Sequence, residues 1–232
     1  MIAAPSGLRW LSFDCFGTLV DWERGIIAVF SPLFLREERT LPQPALLSAY
    51  AAFEAALERP PFRPYRQVLR ACMRALSEHF ALPLAPGEED ALLRALPRFP
   101  LFPDSREALA RLRSRYRLAL LSNTDRDLLA PVLQSLGNPF DCVLTSEEIG
   151  AYKPDPRCFE ALLRATEAAP EEILHCAQSR FHDIAPARVT GLRTVWIRRG
   201  RSGPGAVPPS EARADHVLES LSELARWLGG EG

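Results

Sequence analysis

Four apolar stretches of this sequence run into residues able to do chemistry. Asp14 follows Leu8 to Phe13, Ser122 and Asn123 follow Tyr116 to Leu121, Lys153 stands in AYKPDP, and Asp183 stands in AQSRFHDI behind Ile173 to Ala177. Singly, each has an ordinary explanation, because an Asp starts turns and Ser or Asp caps helices. On one edge of one sheet they would place a carboxylate, a hydroxyl with an amide, an ammonium and a second carboxylate together, which is the make-up of a catalytic site. A carboxylate nucleophile must be aimed, stripped of water and kept ionised by a nearby cation. Asp14 fits the nucleophile and Lys153 the cation, the more so because every other basic residue of the chain is arginine. Thr18, Ser122, Asn123 and the backbone N–H groups around Cys15 and Phe16 could bind substrate oxygens or a developing anion. Gly17 lets the chain turn between them. Cys15 reads as a small buried strand-end residue. His182, beside Asp183, could relay protons near neutral pH, although a histidine at a helix start is more often structural.

The elements that must position these residues can be outlined from periodicity. Leu8 to Phe13 predicts a buried strand. From about Trp22 to Leu96 the apolar spacing is helical, as in LLSAYAAFEAALE and RQVLRACMRALSEHF, and Pro32, Pro42, Pro44, Pro60, Pro61, Pro64, Pro83 and Pro86 are expected to cut it into several helices. Beyond the seam LPRFPLFPDS, strands at 116–121, 142–144, 173–177, 194–197 and 216–218 alternate with helices at 126–136, 156–167 and 183–190 and a last helix ending at Leu228. That alternation predicts an α/β fold, with a parallel sheet covered on both faces and ligands at the carboxyl ends of its strands. The stretch 199–212, rich in Gly, Pro and Ser, reads as an exposed loop.

Composition narrows the function classes. With 232 residues, 47% of them hydrophobic, the chain can bury a sizeable core. A formal net charge of -1 without blocks of like charge speaks against a nucleic-acid or membrane-surface role. No segment reads as a signal peptide or a transmembrane span. Five scattered cysteines without a C-x-x-C pair read as reduced thiols, and so as a cytoplasmic protein. A small-molecule substrate is the expected partner, and the sequence leaves a homo-oligomer open.

DCFGT, LLSNTD, AYKPDP and AQSRFHDIAPARVTGL resemble, in order and context, the four motifs of the haloacid dehalogenase superfamily. The resemblance covers nearly the whole chain. It implies a Rossmann-like three-layer core over residues 1–20 and 97–232, an all-helical cap over 21–96, and a covalent aspartyl intermediate on Asp14. In the superfamily's phosphatases the residue two after the nucleophile is an acid that protonates the departing alkoxide. Here it is Phe16, and the superfamily's 2-haloacid dehalogenases likewise carry an aromatic residue there. Halide leaves without a proton, so the resemblance implies a hydrolase acting on a small organic acid, with Asp183 positioning or activating the water and no cofactor required. Those dehalogenases place a carboxylate-binding arginine early in the cap. None stands in SAYAAFE, and Arg63 or Arg66 is the substitute the sequence offers. Phe159 stands where they have a tyrosine, and Gln178 and Arg180 where they have serine and asparagine. Gln178 also replaces the first of two acids that phosphatases offer to magnesium. A magnesium-dependent phosphatase acting on small phosphate esters or acyl phosphates is the alternative, with Asp14, the Phe16 carbonyl and Asp183 as metal donors. A non-catalytic binder that kept the fold is the third reading.

Overall fold

A strand that is apolar at every position has to be covered on both faces. In the computed structural model, which describes residues 5–199 and 205–229, all four residues of β1 (Trp10–Phe13) are buried. The remaining strands are β2 (Arg117–Ser122), β3 (Cys142–Thr145), β4 (Ile173–Ala177), β5 (Arg193–Ile197) and β6 (His216–Leu218). They form one parallel sheet in the order β3-β2-β1-β4-β5-β6. Leu11 and Phe13 enter the core on one face, whereas Trp10 packs with Ala119, Leu121 and Phe159 on the other. The chain order runs outward from β1 to β3 and restarts at β4 on the opposite side. That reversal opens a crevice at the carboxyl ends of β1 and β4, where ligands of such sheets bind. Phe13 is level with Leu120 and Cys176 in the two ladders, so Asp14 emerges into the crevice.

Between β1 and β2 the regular elements are helical: α1 (Trp22–Arg36), α2 (Gln43–Leu57), α3 (Tyr65–His79), α4 (Ala91–Ala95) and α5 (Ser105–Arg113). Pro42 precedes α2 and Pro64 precedes α3, as the sequence leads one to expect. Pro32 does not break the chain but lies inside α1. A mid-helix proline costs about 3 kcal/mol. Burial of Ile26, Phe30, Leu33 and Phe34, at about 1.5–3 kcal/mol each, outweighs it. Helix α5 went unassigned in the sequence pattern because its apolar positions, Ala108, Leu109 and Leu112, are few among arginines, yet all three are buried.

Past β2 come α6 (Arg126–Leu136), α7 (Ser146–Ile149), α8 (Pro156–Thr166), α9 (Ala185–Val189) and α10 (Leu221–Gly229). Thr145 and Glu148 form a capping box on α7, and Asp155 caps α8 with Pro156 in its first turn. The helix expected from residue 183 instead opens with a wide π-type turn over Arg180–Ile184, which carries Asp183. Of the expected loop 199–212, residues 200–204 lie outside the described residues, as do residues 1–4 of the N-terminal stretch. No described helix is long and apolar enough to cross a membrane.

Candidate active site

Immediately after β1 the chain folds back on itself. Leu19 N–H donates to the Cys15 carbonyl at 2.8 Å and Gly17 N–H to the Val20 carbonyl at 2.8 Å. Gly17 sits at φ +98°, and a Cβ there would lie 3.1 Å from Gln178 Oε1. Strain and crowding therefore both favour glycine. The turn brings Thr18 over Asp14: its hydroxyl donates to Asp14 Oδ2 at 2.7 Å and accepts from Gln178 N–H at 2.9 Å. With its acceptor role filled from the β4 side, the hydroxyl hydrogen points at the carboxylate. Thr18 thus aims Asp14, where the sequence suggested a substrate-binding hydroxyl.

Lys153 arrives from the loop after α7 and is almost fully buried. Its ammonium donates to Asp14 Oδ1 at 2.9 Å, Asp183 Oδ1 at 2.7 Å and the Leu121 carbonyl at 2.8 Å, so all three N–H bonds are committed. Asn123, expected to face substrate, clamps this loop, accepting from Lys153 N–H at 2.8 Å and donating to its carbonyl at 3.0 Å. Asp183 Oδ1 also lies 3.0 Å from His175 Nε2, and His175 Nδ1 lies 2.8 Å from Ser12 Oγ, its register partner on β1. Burial pushes the Asp14 carboxyl upward, opposed chiefly by Lys153. Burial also works against Asp183, but Lys153 and His175 hold it at about 2. Although burial alone would depress Lys153, the two carboxylates raise it above the ordinary lysine range. The ammonium is thereby locked in its charged form between Asp14 and Asp183.

A cavity of about 40 Å³ lies over this triad. Phe16 and Ser122 line it, and Ser122 Oγ is buried without a hydrogen-bond partner. His182 lines it too, and burial pushes its imidazole down to about 4, so it is neutral at pH 7. Gln178 is outside this lining; its carbonyl accepts from Trp196 Nε1 and its side chain lies near Gly17. Arg66 is spent on Asp125 at 2.9 Å and Asp127 at 2.5 Å, and neither it nor Arg63 lines the cavity. The Cys15 thiol is buried and held far above its ordinary value by that burial, as suits a packing residue.

Two acids that the sequence pattern did not single out complete the lining. Glu54 and Glu58 reach down from α2 and from the residue that ends it. Glu54 Oε1 accepts from Tyr50 at 2.9 Å and from Tyr65 at 2.7 Å, while Glu58 accepts from Asn123 Nδ2 at 3.3 Å on both oxygens. Burial pushes Glu54 up to about 7 and Glu58 well above its ordinary value. The signal was there, since Tyr50, Glu54 and Glu58 repeat at i, i+4 and i+8, a polar row along one side of an alanine-rich helix.

A family model described as haloacid dehalogenase-like hydrolase matches residues 8–176, and a second, HAD-hydrolase-like, matches residues 151–224. The (S)-2-haloacid dehalogenase 1 of Pseudomonas sp. (strain CBS-3) is 30% identical over 229 residues, covering 95% of this chain and 96% of that protein. Phosphoserine phosphatase of Thermus thermophilus is 38% identical over 141 residues, 59% of this chain, and the match spans only 56% of that relative's length. The crystal structure of an L-2-haloacid dehalogenase is similar with a TM-score of 0.79 at 30% identity, over 97% of this chain and 100% of the other.

Proposed function

Starting from a chain that belongs to the haloacid dehalogenase-like hydrolases, we propose that it hydrolyses a small organic acid through an ester on Asp14, expelling a group that leaves without a proton, as halide does. Asp14, aimed by Thr18 and kept ionised by Lys153, attacks the carbon bearing the leaving group. A carbon–oxygen bond forms as the carbon–halogen bond breaks, and the halide departs with the bonding pair. Water then adds to the ester carbonyl, returning the Asp14 carboxylate and releasing the hydroxy acid and one proton. Asp183, held low in the carboxylate range by Lys153 and His175, is the group that positions or activates that water. The helical segment between β1 and β2 acts as the cap over this chemistry.

The observation that carries this reading is Phe16, an apolar ring lining the cavity where alkyl phosphate hydrolysis needs an acid. Halide and phosphate release across haloacids and phosphate esters, each with magnesium or with chelator, tests it. Halide release that persists in chelator is expected. Efficient magnesium-dependent hydrolysis of an alkyl phosphate would put the phosphatase reading first.

One observation favours that second reading. Asp183 Oδ2 is buried without a hydrogen bond, and Asp14 and Phe16 line the same cavity as Asp183. Those three groups would hold magnesium, which would offset the charge of a transferring phosphoryl group. Among the described residues, however, no group of three or more His, Cys, Asp or Glu side chains is placed to hold a metal, and the neutral Gln178 occupies the position of the further acid. Acyl or aryl phosphates, whose leaving groups need little protonation, are the substrates this reading admits.

A further inference from the structure

The cavity over Asp14 is strongly acidic on the side made by α2. Glu54 and Glu58 join Asp14 and Asp183 there, four carboxyl groups against the one ammonium of Lys153. Lys153 has no N–H bond left for either glutamate. Glu58 is met by a neutral amide and, at 3.8 Å, by His182 Nε2, which is beyond hydrogen-bond reach. Glu54 takes both tyrosine hydroxyls on Oε1, and no hydrogen bond reaches its Oε2. Neither acid is in contact with a cation among the described residues, and burial holds both above their ordinary values, although the charge of Lys153 draws Glu58 down.

A second, independent feature marks the same cavity as a place for a polar group. Ser122, Asp183, His182 and Trp22 all line it, and each carries a buried side-chain N or O atom without a hydrogen bond. Buried polar atoms are rarely left unpaired, so four around one cavity point to a ligand that supplies the partners. Of these, Ser122 Oγ and Asp183 Oδ2 accept hydrogen bonds, as does Glu54 Oε2 beside them. An ammonium brings three donors and a full charge. A substrate whose only charge is a carboxylate would find no arginine in the lining and no free N–H on Lys153.

We infer that the substrate carries an ammonium group, or an equivalent cationic nitrogen, bound by Glu54 and Glu58 while the reacting carbon faces Asp14. The inference rests on the reading of Asp14 as the attacking group and deepens it: the small organic acid becomes an amino-bearing one. Glu58 also lines a larger cleft of about 350 Å³ on the protein's outside, together with Lys153 and His182.

The test separates binding from turnover. Asp14→Asn protein is titrated with n-propylammonium chloride and with sodium propionate, and the titrations are repeated after adding Glu54→Gln or Glu58→Gln. Propylammonium is expected to bind at least about tenfold more tightly than propionate, with each glutamine variant losing about tenfold or more for the ammonium alone. Binding should also release protons, seen as a buffer-dependent heat, because both glutamates ionise as the cation arrives. Should Glu54→Gln fail to fold for want of its tyrosine bonds, Glu58→Gln carries the test. No propylammonium binding, equal binding of both probes, or ammonium binding that survives the glutamine substitutions overturns the inference. Turnover by Asp14→Asn in the halide assay would instead strike the aspartyl-ester reading, and the binding result would stand by itself.

Discussion

Replacing Lys153 with Met should make the stability gap between the variant and the native chain depend on pH. The ammonium sits 2.9 Å from Asp14 and 2.7 Å from Asp183, all three buried. Removing one partner of a buried pair costs roughly 3 to 5 kcal/mol, because the charges left behind have neither partner nor water. In the native protein Lys153 is raised above the ordinary lysine value, so its contribution is complete below the unfolded pKa of about 10.4 and is lost as pH rises from there through the folded one. Between about pH 5 and 8 it is therefore constant. Asp183, held at about 2, contributes stability present above the unfolded value of about 3.9 and lost as pH falls through the folded one, below that window too.

Without Lys153, both carboxyls keep their burial and lose their cation, so at least one folded pKa rises well above its unfolded value. The variant then binds an extra proton when folded and gains about 1.4 kcal/mol per pH unit as pH falls below that raised pKa. Glu54 is present in both proteins and to first order drops out of the difference, whereas Glu58, which Lys153 also lowers, rises on its loss and adds to the same trend. Urea unfolding of both proteins at about pH 8, 7, 6 and 5 should show a gap of roughly 3 to 5 kcal/mol that closes by about 3 kcal/mol toward pH 5. A gap of constant size would refute the claim that Lys153 keeps these carboxylates ionised. Activity should vanish in Lys153→Met and return poorly in Lys153→Arg, since a planar guanidinium cannot occupy the fitted position of three committed N–H bonds.

Asp14→Asn should lower turnover at least about a thousandfold with little effect on folding; substantial activity in protein shown by mass to be free of deamidation counts against the ester. Phe16→Asp should lose the original reaction and gain weak, magnesium-dependent phosphatase activity, because general acid catalysis contributes about a hundredfold or more. Inertness toward every phosphate ester would mean the pocket rejects phosphate whatever residue stands there. Thr18→Val removes the hydroxyl aimed at Asp14 and orphans Gln178 N–H, so it should cost about 1 to 3 kcal/mol in thermal or urea unfolding and depress turnover more than substrate binding. An unchanged unfolding midpoint would show that bridge to be dispensable.

Asp14, Lys153 and Asp183 were legible because each ends or follows a short apolar run, and parallel strands bring such ends to one edge whatever the loops between them do. The helical character of the segment before β2 was legible too. The contents of its inward face were not. Glu54 sits in the stretch that was searched for an arginine, and only the packing of α2 over the sheet decides that it turns into the cavity. Arg66 failed for the complementary reason, as Asp125 and Asp127, distant in sequence, claim it. His175 looked like an ordinary strand residue because its partners, Ser12 and Asp183, are set by register and by a turn. Asn123 was recognised by position and lines the cavity, but its tie to the Lys153 backbone was not legible, since those bonds span thirty residues of chain.

The lone lysine makes the protein its own reporter. Lys153 is the only lysine in the sequence and is buried at the reacting centre, so isotope-labelled lysine would give a single side-chain ammonium resonance, and that signal would come from the site itself. In the proposed reaction, conversion of Asp14 to a neutral ester would cost Lys153 one of its two counter-charges and leave Asp183 alone. The resonance should move as the intermediate accumulates and return as water clears it. Amine-acylating reagents would meet the same residue only when the site opens, so their rate of attack on Lys153 would time that opening.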